Sequence, residues 1–564
     1  MHFKNYITAL ALLLFSQTIW CQDLQLRITG LSPEENEALS DYNYDVTHSS
    51  LETLKQHVFS FQKQLAKNGY TNNELISLKL GQDSLYLAQI HLKNKIEKIL
   101  LYIAPLLFTK TYFSKLPLPE IKNDSISIPY NKLEHELTLY NKIISASGFP
   151  FSSVQLIEIK QKNSTTLSAK LIISTQNQKR NLNKITLKGY EKFPKSFLKR
   201  YLKIKHNTVF DIESINKKLL ALNNLSFTRQ TKSPEVLFTK DSTQLYLYLE
   251  KTISNNFDGF IGFATNEDTN KIEFNGYLNL LLSNNLNYGE SLYLDYKSDE
   301  SEQKNLNLIA TLPYLFGSPL GLETSLNITK RDSTFITTKQ KASLFYQLNY
   351  KNTIHGGVEN IASSNLSTTD LNNVIDYNSI FYTFKYQYFQ LQNNEKLFRT
   401  KSQVKIELGL GSRKTISSNE KQNKIDIDMS HIFNLNTTNS VYIKSIIQII
   451  DSENYLENEL FTFGGINSIR GFAENSLTAN NLFTLNTEYR YKISPNIFVN
   501  SVLDFANFKN KILDQKESLY GYGFGFGILT KGGLLRFIYA NGKTETDTFN
   551  LSNSKIHLSL KAVF

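Results

Sequence analysis

The last ten residues of the chain, 555–564, read KIHLSLKAVF and alternate between apolar and polar side chains. One face carries Ile, Leu, Ala and Phe, and the other carries Lys, His and Ser. A period of two is typical of a β-strand with a single apolar face. A soluble sandwich alternates in the same way, but it covers its apolar face with a second sheet.

Segments with this pattern fill the chain from about residue 254 to its end, rich in Phe and Tyr and separated by Asn, Ser, Gly and Asp clusters. We count sixteen, which begin near residues 257, 272, 287, 304, 319, 334, 353, 377, 399, 422, 439, 481, 496, 519, 532 and 555. Connections after even-numbered segments read as short, and those after odd-numbered segments as mostly longer, the longest being 452–480. An even strand count with this asymmetry predicts an all-β outer-membrane barrel of sixteen antiparallel transmembrane strands.

Residues 1–21, MHFKNYITALALLLFSQTIWC, have the layout of a secretory signal peptide, with Lys4 ahead of a short apolar core. Cleavage after Cys21 would remove the single cysteine, leaving no disulfide and no cysteine ligand for a metal. A lipoprotein signal with Cys21 acylated is the alternative, although Trp20 is not the small residue expected before it. No later apolar run reaches the roughly 18 residues of a helical membrane span.

The composition of the 564 residues, 41% apolar, 12% aromatic and 20% charged, excludes a disordered polymer. A net charge of +11 fits either nucleic acid or an anionic membrane surface. Because the predicted signal peptide directs the protein out of the cytoplasm, we expect it not to bind nucleic acid. Residues 179–205 concentrate this charge, with ten basic residues against one acid, Glu191. The simpler interpretation of these basic residues is a solvated surface, and the more specific one is attraction to anionic lipid headgroups.

The region before the barrel contains a weak internal repeat. Two amphipathic helices end in Gly-aromatic pairs at Gly69 and Gly148, which are 79 positions apart, and a strand-like segment follows each. A third helix reaches Phe227 at nearly the same interval, with Ser226 in place of glycine. Equal spacing favours three related α/β modules over three unrelated helix ends. The predicted organisation is a signal peptide at 1–21, modules at 22–100, 101–180 and 181–252, and the barrel at 253–564.

The longest loop contains residues 460–472, LFTFGGINSIRGF. Alone, an arginine between glycines is a turn with a solvated charge. In the next two strands, however, alternation directs Glu488 and Asp504 into the lumen, where they are candidate partners of Arg470. A later strand, YGYGFGFGI, directs four glycines inward, which leaves a groove that another segment can approach closely. These glycines are Gly521, Gly523, Gly525 and Gly527.

This loop resembles the GG…(V/I)RG(F/Y) signature of the BamA/TamA superfamily of outer-membrane assembly factors and two-partner secretion transporters. The matching residues are Gly464, Gly465, Ile469, Arg470, Gly471 and Phe472. Asp504 in VLDFAN matches the family's F-x-D-x-G strand, from which Leu503 and Ala506 depart. Phe564 resembles the family's C-terminal aromatic residue, which is a recognition signal for barrel assembly. The three modules resemble POTRA domains, the family's periplasmic β-α-α-β-β units.

The resemblance implies an outer-membrane factor that handles unfolded outer-membrane or secreted polypeptides, with its modules in the periplasm and possible accessory proteins as further partners. Three modules match the TamA-type assembly barrel. Templating would take place at the seam between the first and last strands, both expected to be short, where Gly259 and Gly262 weaken the first strand and Phe564 ends the last. A two-partner secretion transporter and a passive pore are the alternatives.

We expect no enzyme activity, no cofactor and no metal. The nine histidines are scattered along the chain, and the sequence contains neither HExxH nor a Ser/His/Asp cluster. The candidates for a hydrolase are single lumen-facing residues such as His557.

Overall fold

The computed structural model describes residues 23–561 except 176–177, 267–270, 299–302, 332–333, 368–373, 393–394, 531 and 548–549. The predicted signal peptide with Cys21, and the terminal Phe564, lie outside the described residues. The chain divides into two compact units, of which the first ends at Leu182 and also takes in Asn207–Glu213. The second consists of Asn183–His206 and Ser214–Phe564.

The first unit holds two α/β modules with the same topology. The first module consists of β1 (Leu24–Thr29), α1 (Pro33–Ser40), β2 (Thr47–His48), α2 (Leu51–Lys67), β3 (Glu74–Leu80) and β4 (Leu85–His91). The second consists of β5 (Lys98–Ile103), β6 (Ser125–Pro129), α3 (Leu133–Ala146), β7 (Ser153–Asn163) and β8 (Thr166–Ser174). Their sheets have the orders β2-β1-β4-β3 and β6-β5-β8-β7, and β1 and β5 run parallel to β4 and β8. The internal repeat therefore reflects a repeated fold.

The repeated glycines end the helices as the sequence predicts. Gly69 and Gly148 have φ angles of +109° and +100°, in the left-handed region that favours glycine. A Cβ on Gly69 would lie 2.2 Å from the carbonyl oxygen of Ile96, so the position also lacks space for a side chain. The aromatic residue that follows Gly69, Tyr70, is buried in the core of the first module.

The predicted boundary between residues 100 and 101 is wrong. β5 begins at Lys98 and pairs along its whole length with β8, so it belongs entirely to the second module. Only residues 92–97 separate it from β4. A connection this short carries no change of composition that marks a boundary.

Most of the third module belongs to the second unit. It consists of β9 (Leu182–Gly189), a π-helical turn (Phe197–Tyr201), α4 (Ile212–Leu219), β10 (Thr228–Phe238) and β11 (Thr243–Lys251), with the sheet order β10-β11-β9. Residues 252–255 link β11 to the next strand. In this linker the Ser254 hydroxyl donates to the Ser283 carbonyl at 3.1 Å, and the Asn255 side chain accepts from the Ser283 amide at 2.9 Å.

Sixteen antiparallel strands follow in chain order, as the sequence predicts. The first eight are β12 (Asn256–Asn266), β13 (Lys271–Ser283), β14 (Ser291–Ser298), β15 (Lys304–Leu312), β16 (Leu320–Arg331), β17 (Phe335–Asn349), β18 (Asn352–Asn365) and β19 (Tyr377–Leu391). The next three are β20 (Thr400–Lys414), β21 (Asn419–Asn434) and β22 (Asn439–Asp451). The loop of residues 452–480 adds its own hairpin, β23 (Phe461–Phe463) and β24 (Leu477–Ala479). The last five are β25 (Asn481–Ser494), β26 (Ile497–Asn510), β27 (Gln515–Thr530), β28 (Gly533–Thr544) and β29 (Ser554–Lys561).

The strand prediction differs from the structure in two details. Two strands begin four residues away from their predicted positions, the third at Ser291 rather than near 287 and the fourteenth at Gln515 rather than near 519. The predicted asymmetry of connection lengths holds only in part. The three longest connections, 366–376, 452–480 and 545–553, all follow odd-numbered strands, but other connections after odd-numbered strands, such as 415–418, are shorter than 284–290 after an even-numbered one. Clusters of Asn, Ser and Gly mark where a chain turns, but they do not measure how far it projects.

The outer face of this sheet is apolar and exposed. Tyr382 on β19, Leu410 on β20 and Leu558 on β29 are 71%, 65% and 70% exposed, whereas Phe381 beside the first of them is 1% exposed. Large apolar side chains in this arrangement suit contact with lipid hydrocarbon. In the part of the chain described, no helix combines the length and the apolar character needed to cross a bilayer.

Candidate functional site

The loop of residues 452–480 folds back against the inner face of the sheet and places Arg470 between two carboxylates. Arg470 is 3% exposed. Its Nε donates to Asp504 Oδ2 at 2.7 Å, and its backbone amide donates to the same oxygen at 2.9 Å. Its Nη1 donates to Glu488 Oε1. Glu488 on β25 and Asp504 on β26 are thus both brought to Arg470, in charge-assisted hydrogen bonds removed from water.

Two further arginines complete this group, and the sequence reasoning missed both. Arg490 Nε donates to Glu488 Oε2 at 2.7 Å, and Arg536 Nη2 donates to Glu488 Oε1 at 3.0 Å. The guanidinium carbon of Arg490 also lies 3.9 Å from the ring centroid of Tyr442, a cation–π distance. Alternation was enough to find Arg490, which is two positions from Glu488 on the same face of β25. The arginine cluster is Arg470, Arg490, Arg536, Glu488 and Asp504.

The glycines of the motif shape the loop. Gly464, Gly465 and Gly471 have φ angles of +114°, +88° and +93°. The Gly471 amide lies 3.2 Å from Nε2 of His557, the lumen-facing histidine of β29. A Cβ on Gly542 would lie 2.6 Å from the Gly471 oxygen, so this unpredicted glycine of β28 also provides room for the loop.

The predicted glycine groove receives the loop at one position only. A Cβ on Gly521 would lie 2.2 Å from the Arg470 carbonyl oxygen. The other three glycines face the neighbouring strands instead: the atom nearest to a Cβ would be the Tyr539 oxygen at Gly523, the Phe537 oxygen at Gly525 and a Phe498 ring carbon at Gly527. The loop-binding glycines are therefore Gly521 and Gly542.

Gly521→Ala is expected to displace the loop although every charge of the arginine cluster is retained. The added methyl would overlap a backbone carbonyl, which has no rotamer to change. We expect faster cleavage of residues 452–480 by a glutamate-specific protease in the folded barrel. The matched control is Gly356→Ala on β18, where nothing lies within 4 Å of the new Cβ. Equal protease resistance of the two variants would contradict the close approach.

The apolar residues of the motif pack in the interior. Ile469 is fully buried in a cluster with Phe463 of the same loop and Phe508 of β26, and Phe472 packs against this cluster. The loop is therefore held by an apolar core as well as by charge.

A second buried group holds the same loop several strands away, and the sequence reasoning missed it. Arg413 on β20 is 1% exposed. Its Nη2 donates to Glu420 Oε2 on β21 at 2.8 Å, and its Nη1 donates to Glu459 Oε1 of the loop. Gln422 donates to the other oxygen of Glu459 at 2.9 Å. Next to it, the Asn458 side chain donates to Ser363 Oγ on β18 at 2.9 Å. The loop therefore has two attachments to the inner face of the sheet, one at Arg470 and one at Glu459.

Part of the interior stays open beside the loop. A polar cavity of about 520 Å³ lies between loop residues such as Ser468 and the inner wall. Ion pairs between strands lie on this wall and join Lys341 to Glu407 at 2.5 Å and Lys424 to Glu359 at 2.9 Å.

The proposed seam strands are the two ends of the strand order. β12 pairs with β13 and β29 with β28, with nothing beyond either end in the order of the described strands. β12 has 11 residues and is longer than β14, so the expectation that the first seam strand is short is wrong. β29 is described for 8 residues up to Lys561, and the rest of the predicted last strand lies outside the described residues. A Cβ on Gly259 would lie 2.6 Å from the Tyr277 oxygen of β13. Gly262 pairs with Asn275 on the same strand.

Solved structures of BamA and CdiB have a fold similar to that of this chain. CdiB from Acinetobacter baumannii is 17% identical, with a TM-score of 0.51 over 87% of this chain and 93% of that one. CdiB from Escherichia coli is 13% identical, with a TM-score of 0.50 over 94% and 98% of the two chains. BamA from Haemophilus ducreyi lacking POTRA domains 1–3 is 15% identical, with a TM-score of 0.50 over 82% and 98%. No family model and no curated protein matches the sequence.

Proposed function

The chain has the fold that the BamA and CdiB barrels share, and on that premise we propose that it is an outer-membrane factor that assembles client polypeptides into the membrane. The client strands would be templated at the seam of β12 and β29. The three modules would lie in the periplasm and receive the client first. This role requires no covalent chemistry and no cofactor.

The observation that carries this proposal is the two-point attachment of the loop. Because Arg470 and Glu459 are both held in buried ion pairs, residues 452–480 lie inside the barrel, against the inner face of the sheet. A polypeptide threading through the lumen would have to break both attachments. A client that pairs at the seam would leave both in place, so the geometry favours assembly over translocation.

Physical chemistry explains why a client needs such a template. Backbone amides and carbonyls that enter hydrocarbon unpaired cost several kcal/mol each. A client strand that pairs with an exposed sheet edge satisfies them before it meets lipid. The modules offer further edges of the same kind, such as β3 and β7, each at the end of its sheet.

A two-partner secretion transporter is the second candidate, supported by the polar cavity beside the loop. Its wall carries both signs of charge, on Lys341 and Lys424 and on Glu359 and Glu407, which suits passage of a hydrated polypeptide. A passive pore would use the same cavity, but it would leave the three modules without a role.

Locking the seam is expected to abolish client assembly while the barrel still folds. Cysteine pairs scanned between residues 260–264 and 558–562 are expected to include one register with Cα atoms about 4.4–6.8 Å apart, which oxidation will bridge. Assembly is measured by the gel mobility of a urea-denatured eight-stranded outer-membrane protein added to vesicles that contain this protein. Reductant should restore activity.

The matched control is a cysteine pair at Phe257 and Leu280, which are already partners in the β12–β13 ladder. Oxidising this pair is expected to leave assembly unchanged. Full assembly by a quantitatively locked seam would exclude templating there and leave translocation through the lumen as the better account.

A further inference from the structure

The third module is fixed to one rim of the sheet by its π-helical turn. This rim, which we call the proximal rim, consists of the connections after even-numbered strands, among them residues 284–290 and 313–319. The ring of Phe197 lies edge-on to that of Tyr314, 5.1 Å between centroids. The Tyr190 hydroxyl donates to Asn287 Oδ1 at 2.9 Å. The turn therefore has a defined position on the rim.

Two cations of the basic segment are attached to this rim directly. Arg200 Nη2 donates to the Gly317 carbonyl at 3.1 Å, and Lys203 Nζ donates to the Leu348 carbonyl at 2.8 Å. Neither contact is an ion pair, so both positive charges remain uncompensated by these partners. Part of the charge that the sequence concentrates in residues 179–205 is thus held at the edge of the barrel.

The same rim carries large apolar side chains that point outward. Leu286 and Tyr288 are 67% and 69% exposed, and Phe316, directly before Gly317, is fully exposed. Aromatic side chains at a barrel rim lie at the boundary between hydrocarbon and headgroups. The hydrogen bond from Arg200 to Gly317 therefore places that cation in the headgroup layer.

Three exposed lysines surround the attached turn. Lys192, Lys195 and Lys199 all have exposed side chains; Lys192 and Lys195 precede the turn and Lys199 lies on it. The sole acid between residues 183 and 206 is Glu191. This face of the module is therefore strongly positive at the level where the barrel leaves the membrane.

We propose that residues 192–203 form a binding surface for anionic phospholipid headgroups. Flexible, separated lysines suit mobile phosphate groups spread over a membrane surface, and each basic residue close to such a surface adds to the attraction. An acidic polypeptide would instead need apolar pockets or a free strand edge for a defined register, and none of the contacts above provides one. The surface would hold the third module against the leaflet from which clients enter the membrane.

A tryptophan at position 316 tests the proposal in the full-length protein. The single tryptophan of the chain, Trp20, lies in the predicted signal peptide, so Phe316→Trp reports on lipid next to Arg200. The protein is reconstituted in phosphatidylcholine vesicles that contain equal mole fractions of brominated phosphatidylglycerol or brominated phosphatidylcholine. We expect the anionic lipid to associate at least about fivefold more strongly, the effect of one basic residue near an anionic surface. The preference should largely disappear in 1 M salt, where charges are screened within about 3 Å.

The triple variant Lys192→Gln, Lys195→Gln and Lys199→Gln is expected to lose most of this preference. The matched control, Lys55→Gln, Lys63→Gln and Lys79→Gln, removes the same charge from exposed positions of the first module and should retain it. Heat-dependent gel mobility verifies that both variants fold. Equal quenching by the two lipids in the parent protein would overturn the proposal. Unchanged preference in the first triple variant would overturn it as well, and so would cross-linking of these lysines to an acidic client peptide without any lipid preference.

Discussion

Replacing Arg470 with alanine is expected to release residues 464–474 of the loop from the inner face, while the attachment at Glu459 remains and the sixteen strands still assemble. The Asp504 side chain is 0% exposed and would lose its guanidinium partner. Removing one partner of a buried pair costs about 3–5 kcal/mol. We expect rapid cleavage at Glu474 by a glutamate-specific protease, together with loss of client assembly.

Two controls separate this effect from a general loss of stability. Arg229→Ala removes an exposed arginine paired with Glu250 and is expected to cost about 1 kcal/mol or less. Adding Asp504→Asn to Arg470→Ala should cost less than the sum of the single changes, because a neutral side chain needs no counter-charge. If Arg470→Ala supports normal protease resistance and assembly, the loop is only a turn.

Releasing both attachments of the loop is expected to open the lumen. Arg413→Ala leaves the buried carboxylates of Glu420 and Glu459 without their shared cation, again at about 3–5 kcal/mol. Either single variant retains one attachment, so its conductance in a planar bilayer should rise only slightly. The double variant with Arg470→Ala should show a large, persistent conductance.

Lys421→Ala, which removes an exposed cation from the same strand pair, is the matched control. A double variant that conducts no better than the parent protein would show that the loop does not close the lumen. High conductance of the double variant, against little in either single variant, would show that the two attachments together close the lumen.

The alternation of apolar and polar residues predicted the features that are determined within a single strand, namely its position and the face on which each side chain lies. It located all sixteen strands to within four residues, and it directed Glu488 and Asp504 to the face that Arg470 occupies. In β27 it also separated the exposed Phe524 from the buried Gly525.

Features that depend on several strands could not be predicted in the same way. The bonds from Arg536 to Glu488 and from Arg413 to Glu459 join residues that are not on adjacent strands, so they depend on the curvature of the sheet and on the path of the loop. Gly542 was missed for the same reason, because its importance comes from the loop segment that lies against it. Local alternation contains neither kind of information.

The short link between the third module and the sheet has a mechanical consequence. Residues 252–255 span at most about 14 Å when extended, and Ser254 and Asn255 are tied to the turn after β13. Force on the module therefore reaches β12 with almost no slack, in parallel with the rim contacts of Tyr190, Arg200 and Lys203. A client that pulls on an edge strand of the module would therefore strain β12. The unpaired edge of β12 is also the edge with which the client would pair next. Lengthening this link with glycine and serine should therefore uncouple client capture by the modules from client insertion at the seam, although the modules still bind clients and the barrel still folds.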